Sequence, residues 1–228
     1  MLVVHVTSHG FGHMNRTVAV LNKVPAEIPI IIRCSPDLFP NWRERLLRPA
    51  DLDAHVSDSG AVNPVGGSGS TDAAATLERA IAVYRESLPR VDADVEYLRR
   101  VDAAAVLCDA PPLPLVAAHR AGVPGWLLAN FTWYDIYAPY AQNAGPEAKR
   151  LVADLKTAYR QAAGVFRAEP ALKMAWLPNQ MDVGLVANPG RDRAKELRAL
   201  LELGKTEKLV YFYVGRYGQD DLDWSRLA

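Results

Sequence analysis

The sequence predicts an α/β protein built on a parallel sheet with helices on both faces. Short β-branched and apolar runs recur along the chain, and amphipathic stretches of helical period separate them. The first run, Leu2-Val3-Val4-His5-Val6-Thr7, passes directly into the loop Ser8-His9-Gly10-Phe11-Gly12-His13, which opens a helix. A loop so placed lies at the carboxyl end of a first strand, where open α/β sheets bind ligands.

The elements follow in order. Strand one is predicted over Leu2–Thr7 and a helix near Met14–Lys23. Ile28–Cys34 reads as a strand buried on both faces, because it is almost continuously apolar and β-branched. A helix around Leu38–Leu47 is closed by Pro49, and Leu52–Val56 is a weaker third strand. Residues 57–71 form a long loop of the kind that is functional or mobile when set inside a compact domain. Helices near Asp72–Ser87 and Val91–Val101 lead to a strand over Ala103–Cys108. A helix near Leu115–Ala121 then leads to the strand Gly125–Ala129. Beyond an aromatic stretch at 131–137, a helix is predicted over Glu147–Ala162. Short strands follow at Val165–Ala168, Lys173–Leu177 and Asp182–Val186. A helix over Arg191–Leu203 is stopped by Gly204, and Leu209–Val214 is a last strand entering Gly215-Arg216-Tyr217-Gly218.

Composition narrows the function. The 228 residues are enough for a sizeable core, and 50% are hydrophobic. Lys+Arg and Asp+Glu each total 26, so a broad electrostatic grip on nucleic acid is disfavoured. Cys34 and Cys108 each end a buried-looking strand and make neither a disulfide framework nor a metal set. No apolar run approaches the roughly 18 residues a membrane span needs, and no signal peptide precedes strand one. No membrane span is expected, and the expected compartment is cytoplasmic.

The opening loop carries the candidate chemistry. Gly10 and Gly12 allow a tight turn and close approach of a ligand, and the helix behind them offers free N–H groups to an anion. His13 is the side chain suited to accept a proton near neutral pH. Asp109, at the end of a buried strand and before Pro111-Pro112, either caps the next helix or holds the far ring nitrogen of His13. His9 is expected to touch substrate or pack on the loop. Arg16, in the first helical turn, is placed to meet a phosphate or an acceptor carboxylate, or else to be solvated. Asn130, at a strand's carboxyl end, is a polar ligand contact. Among Phe131, Trp133, Tyr134 and Tyr137, only Trp133 is assigned to substrate and the rest to the core. His5 is a core residue, and His55 and His119 sit in no motif. His9 and His13 are four apart, but the intervening glycines argue for a loop, so no metal site is expected. Gly66-Gly67-Ser68-Gly69-Ser70 lacks the Gly-Lys-Ser/Thr ending of a phosphate loop and is taken as a flexible acceptor loop.

Five motifs in order carry a resemblance to a known family. They are Ser8-His9-Gly10-Phe11-Gly12-His13, Asp58-Ser59-Gly60-Ala61-Val62, Asp109-Ala110-Pro111-Pro112, Asn130-Phe131-Thr132-Trp133 with Tyr137, and Pro178–Val186 feeding Arg191–Leu203. Together they resemble the Rossmann-like N-terminal half of GT-B glycosyltransferases, most closely the glycosyltransferase-like module of plant arabinokinases and its bacterial relatives. The resemblance implies an acceptor-side domain over residues 1–188. Residues 189–228 would be a linker helix and the first strand of a truncated donor-side α/β domain. It implies no cofactor, a nucleotide-sugar such as a UDP-sugar as co-substrate, and a small-molecule or glycan hydroxyl as acceptor. His13 would be the base in transfer of a hexosyl or pentosyl group, and Asp109 would orient it. The missing donor half would leave this chain alone inactive. Rival expectations are a non-catalytic sugar-binding or regulatory module and a nucleotide-sugar epimerase on the same scaffold. A dinucleotide-dependent oxidoreductase is disfavoured, because Gly-x-Gly-x-x-Gly is absent after strand one.

Overall fold

Seven parallel strands form one sheet in the order β3-β2-β1-β4-β5-β6-β7. The computed structural model describes residues 1–64, 71–204 and 206–210. The strands are β1 (Leu2–Val6), β2 (Ile30–Cys34), β3 (Asp51–Ala54), β4 (Ala105–Asp109), β5 (Gly125–Ala129), β6 (Gly164–Glu169) and β7 (Gln180–Leu185). The helices are α1 (Phe11–Leu21), α2 (Phe39–Arg45), α3 (Ala73–Ser87), α4 (Val91–Arg100), α5 (Leu113–Ala121), α6 (Trp133–Ala141), α7 (Pro146–Tyr159) and α8 (Ala194–Leu200).

Alternation along each strand sorts its side chains between two cores. Val4, Val6, Ile30, Ile32 and Cys34 pack with Met14, Val18 and Leu21 of α1 and with Trp42 of α2. Val3, Val106, Cys108, Leu127 and Val165 face the other way, against α3, α4, α5 and α7. Both faces are therefore covered, which is why the central strands read as unbroken apolar runs. Both cysteines are free and buried. Local signals set the helix starts: the Asp72 carboxylate accepts from the Ala75 amide at 2.9 Å before α3, and the Thr132 hydroxyl accepts from the Asp135 amide at 3.2 Å before α6.

Several expectations change. Helix α1 begins at Phe11 rather than near Met14, so Gly12 and His13 lie in its first turn. The aromatic stretch is helix α6, despite Pro139 inside it. Lys173–Leu177 is not a strand; the buried side chains of Met174 and Leu177 come from a turn whose carbonyls accept the Gln180 amide at 2.7 and 2.8 Å. The late helix is shorter than predicted, Ala194–Leu200. Leu209 and Val210 are outside any strand, and the remainder of that expected strand, with Gly215–Gly218, lies outside the described residues. So does the Gly66–Ser70 loop.

Strand β2 contains one charge that an apolar strand would not be expected to hold. Arg33 is buried but fully answered: Nε donates to Asp53 Oδ2 at 2.8 Å, one terminal nitrogen donates to Asp94 Oδ1 at 2.8 Å, and the guanidinium lies 4.0 Å from the centre of the Tyr97 ring. His55 Nε2 meets the other Asp94 oxygen at 3.0 Å. His5 is buried edge-on to His55, a core position as expected.

Candidate active site

Strand order reverses between β1 and β4, which are neighbours with Val6 opposite Asp109. That reversal opens the crevice in which doubly wound sheets hold ligands. The chain leaving β1 needs one conformation that only glycine adopts readily: Gly10 has φ 81 and ψ 155. Gly12 has no such need: it lies inside helix α1 and is not among the glycines with positive φ. It lies open at the mouth of the crevice.

From α1, residues 13, 16 and 17 fall on one face of the helix at i, i+3 and i+4, and all three reach Asp109. His13 Nδ1 is 2.7 Å from Asp109 Oδ1. Thr17 Oγ1 donates to Oδ2 at 2.7 Å. Arg16 Nε donates to Oδ2 at 3.0 Å while a terminal nitrogen of the same guanidinium donates to Oδ1. Its other terminal nitrogen donates to Asn130 Oδ1 at 2.8 Å. Asp109 is 0% exposed and His13 8%. Burial alone would push the Asp109 carboxyl up, but His13 and then Arg16 outweigh it and hold the group below its ordinary value. An ionised carboxylate only accepts, so Nδ1 of His13 carries a hydrogen. Asp109 caps no helix; α5 has no side-chain cap.

An aromatic wall stands beside this cluster. Phe131 meets the His13 ring edge-on at 5.4 Å and Trp133 at 5.2 Å. Trp133 stacks on Tyr137 at 5.4 Å and meets His9 edge-on at 5.4 Å. Trp133 is 2% exposed, and its indole N–H donates to Asp58 Oδ2 at 2.7 Å. The structure therefore places Trp133 in the wall, with Phe131 rather than Trp133 partly exposed at the His13 ring. Gly60 lets His9 in: its φ is +68, and a Cβ there would lie 2.2 Å from His9 Nδ1. Burial, then His13 and Arg79, lower the pKa of His9. Burial raises that of Asp58 despite the Trp133 and Thr7 hydrogen bonds to it.

Tyr159 ties the loops after β4 and β5 together. Its hydroxyl donates to the Ala110 carbonyl at 2.7 Å and accepts the Trp133 amide at 3.0 Å. Ala110 has φ 81, strained for a residue with a Cβ, so the hydroxyl stabilises the turn that follows Asp109. Next to the cluster, an open cleft of about 710 Å³ is lined by Gly12, Asn15, Arg16, Arg45 and Asn188, among others.

The structure thus brings His13, Asp109, Arg16 and Asn130 together, with His9 at the wall and Gly10 and Gly12 at the entry. Arg16 donates to Asp109 and Asn130 and also lines the open cleft. Thr17 and Tyr159 have site contacts that the sequence did not announce, and Asp58 and Gly60, read from the sequence only as part of a motif, join the site through Trp133 and His9. The 3, 4 spacing after His13 was the available signal for Thr17. Among the described residues, no group of three or more His, Cys, Asp or Glu could hold a metal ion, and no helix is long and apolar enough to cross a membrane.

No protein-family model matches the chain. It is 27% identical over 220 residues to the L-arabinokinase of Arabidopsis thaliana, covering 92% of this chain and 20% of that protein. It superposes on Arabidopsis thaliana UGT89C1 complexed with UDP with a TM-score of 0.58 and 17% identity, covering 95% of this chain and 58% of that one. Phytolacca americana UGT2 complexed with UDP-2fluoro-glucose and pterostilbene gives a TM-score of 0.53 at 16% identity, covering 87% of this chain and 57% of that one. The chain therefore spans one portion of each of these proteins. What it shares with the solved structures is the fold, a GT-B-like module on a seven-stranded Rossmann-like parallel sheet.

Proposed function

We propose that this chain is the acceptor-side half of a glycosyltransferase that moves a sugar from a nucleotide-sugar, a UDP-sugar by analogy with the ligands of its structural neighbours, to a hydroxyl acceptor. The observation that carries the proposal is the 2.7 Å approach of His13 Nδ1 to Asp109 Oδ1 at the strand-order reversal. With Nδ1 committed, Nε2 is the nitrogen that receives the acceptor hydroxyl's proton. The oxygen forms its bond to the anomeric carbon, the bond from that carbon to the nucleotide diphosphate breaks, and the diphosphate leaves with the electron pair. Asp109 stabilises the imidazolium that results. Residues 1–188 make up the acceptor side, and residues 189–228 begin the donor side. Transfer needs a donor side as well as an acceptor side; a longer polypeptide that carries both turns over UDP-sugars, and the acceptor side alone turns over little or nothing.

The test is turnover of UDP-glucose and other UDP-sugars by the longer polypeptide, with and without His13→Ala. Loss of a positioned base lowers the rate by about 10²–10⁴-fold; an unchanged rate removes His13 from the mechanism.

A further inference from the structure

Each of the three nitrogens of the Arg16 guanidinium donates to a protein group. Nε and one terminal nitrogen grip both oxygens of Asp109, and the other terminal nitrogen is held by Asn130. Its side chain is 10% exposed and that of Asp109 0%. A substrate anion that drew the fork away from the carboxylate would strand a buried charge. The terminal nitrogen on Oδ1 is also 3.2 Å from His13 Nδ1. Both are donors, so the two side chains share one acceptor oxygen rather than bonding each other.

That sharing has an electrostatic consequence. A carboxylate beside an imidazole favours the doubly protonated ring, and more so when no other cation answers the carboxylate. A ring so charged has no lone pair with which to accept a proton. A guanidinium gripping the same carboxylate at two points supplies the compensating charge. The other ionisable groups that face His13 are His9 on its own loop and Asp58 from the segment after β3.

We infer that Arg16 is a positioning residue acting through Asp109: it neutralises the carboxylate so that His13 stays an uncharged ring with Nε2 open, and it fixes which oxygen meets Nδ1. The inference rests on the reading of His13 as the base, but its readout does not. Side-chain nitrogen NMR of His13 in the 228-residue chain at neutral pH reports ring charge and tautomer directly. The wild type shows a neutral ring protonated at Nδ1. Arg16→Met shifts the ring population toward the doubly protonated form, with the neutral signal reduced. Arg16→Lys keeps a cation and leaves the ring neutral. Thr17→Val, which removes an uncharged donor from the same carboxylate, leaves the ring state unchanged.

An Arg16→Met spectrum identical to the wild type overturns the inference. So does a wild-type ring that is doubly protonated or carries its hydrogen on Nε2. If Arg16→Met loses the dispersed amide spectrum of a folded chain, the wild-type and Arg16→Lys spectra decide, since a doubly protonated ring in either overturns it. Failure here leaves the transfer reading standing, and failure of UDP-sugar turnover leaves this readout untouched.

Discussion

Removing the Asp109 carboxylate would strand three side chains at once, His13, Arg16 and Thr17, all buried or nearly so. Asp109→Ala should therefore cost about 3–5 kcal/mol of stability, the range for breaking one side of a buried ion pair, as read from urea unfolding. A second buried carboxylate gives a pH-dependent case. Burial pushes Asp94 up, but the hydrogen bond and charge of His55, and then Arg33, outweigh it and bring the group from 3.8 to about 2. A depressed carboxyl stabilises the fold above its unfolded value and ceases to do so as pH falls through its folded value. The contribution, about 2 kcal/mol, is present above about pH 4 and lost on the way down to about pH 2. The stability gap between wild type and Asp94→Asn should shrink across that window in denaturant unfolding at successive pH values. A constant gap would show that the carboxylate's ionisation is not what holds α4 to β2.

At the scale of elements, the site depends on how loops are tied. Tyr159→Phe leaves the Ala110 carbonyl and the Trp133 amide without the hydroxyl they share. Two buried backbone groups left unpaired cost about 2–6 kcal/mol, and amide exchange at 110 and 133 should speed up relative to the β2 core. Gly60→Ala meets both a left-handed backbone and the His9 ring at 2.2 Å. It should displace His9, with loss of stability and a changed environment for the Trp133 ring seen by indole NMR. Legibility in the sequence also divides by element. The central strands were plain because both faces are covered. Helix α6 was not, because its aromatics face several ways: Trp133 and Tyr137 turn inward, Tyr134 packs on Trp176, and Asp135 accepts the Trp176 indole N–H at 2.9 Å. Lys173–Leu177 looked like a strand because burial, rather than pairing, made it apolar. Helix α1 starts early because Gly10 alone takes the glycine-only conformation, leaving Gly12 free to be helical.

On the scale of the whole molecule, alternation of strand and helix signals was enough for a parallel sheet, but strand order was not in the sequence. Only long-range packing sets β4 beside β1, and that adjacency brings His13 to Asp109. Motif resemblance pointed to those two residues; nothing local announced that Arg16 would turn to Asp109, because an arginine in a first helical turn is as compatible with solvent as with a buried partner. The central claim is that the two side chains act as one unit, and a double-mutant cycle tests it most directly. UDP-sugar turnover would be measured in the longer polypeptide for His13→Ala, Asp109→Asn and the pair. A working dyad predicts that the double variant loses no more than about what His13→Ala alone loses. Losses that multiply, or rates equal to wild type in all three, would contradict it.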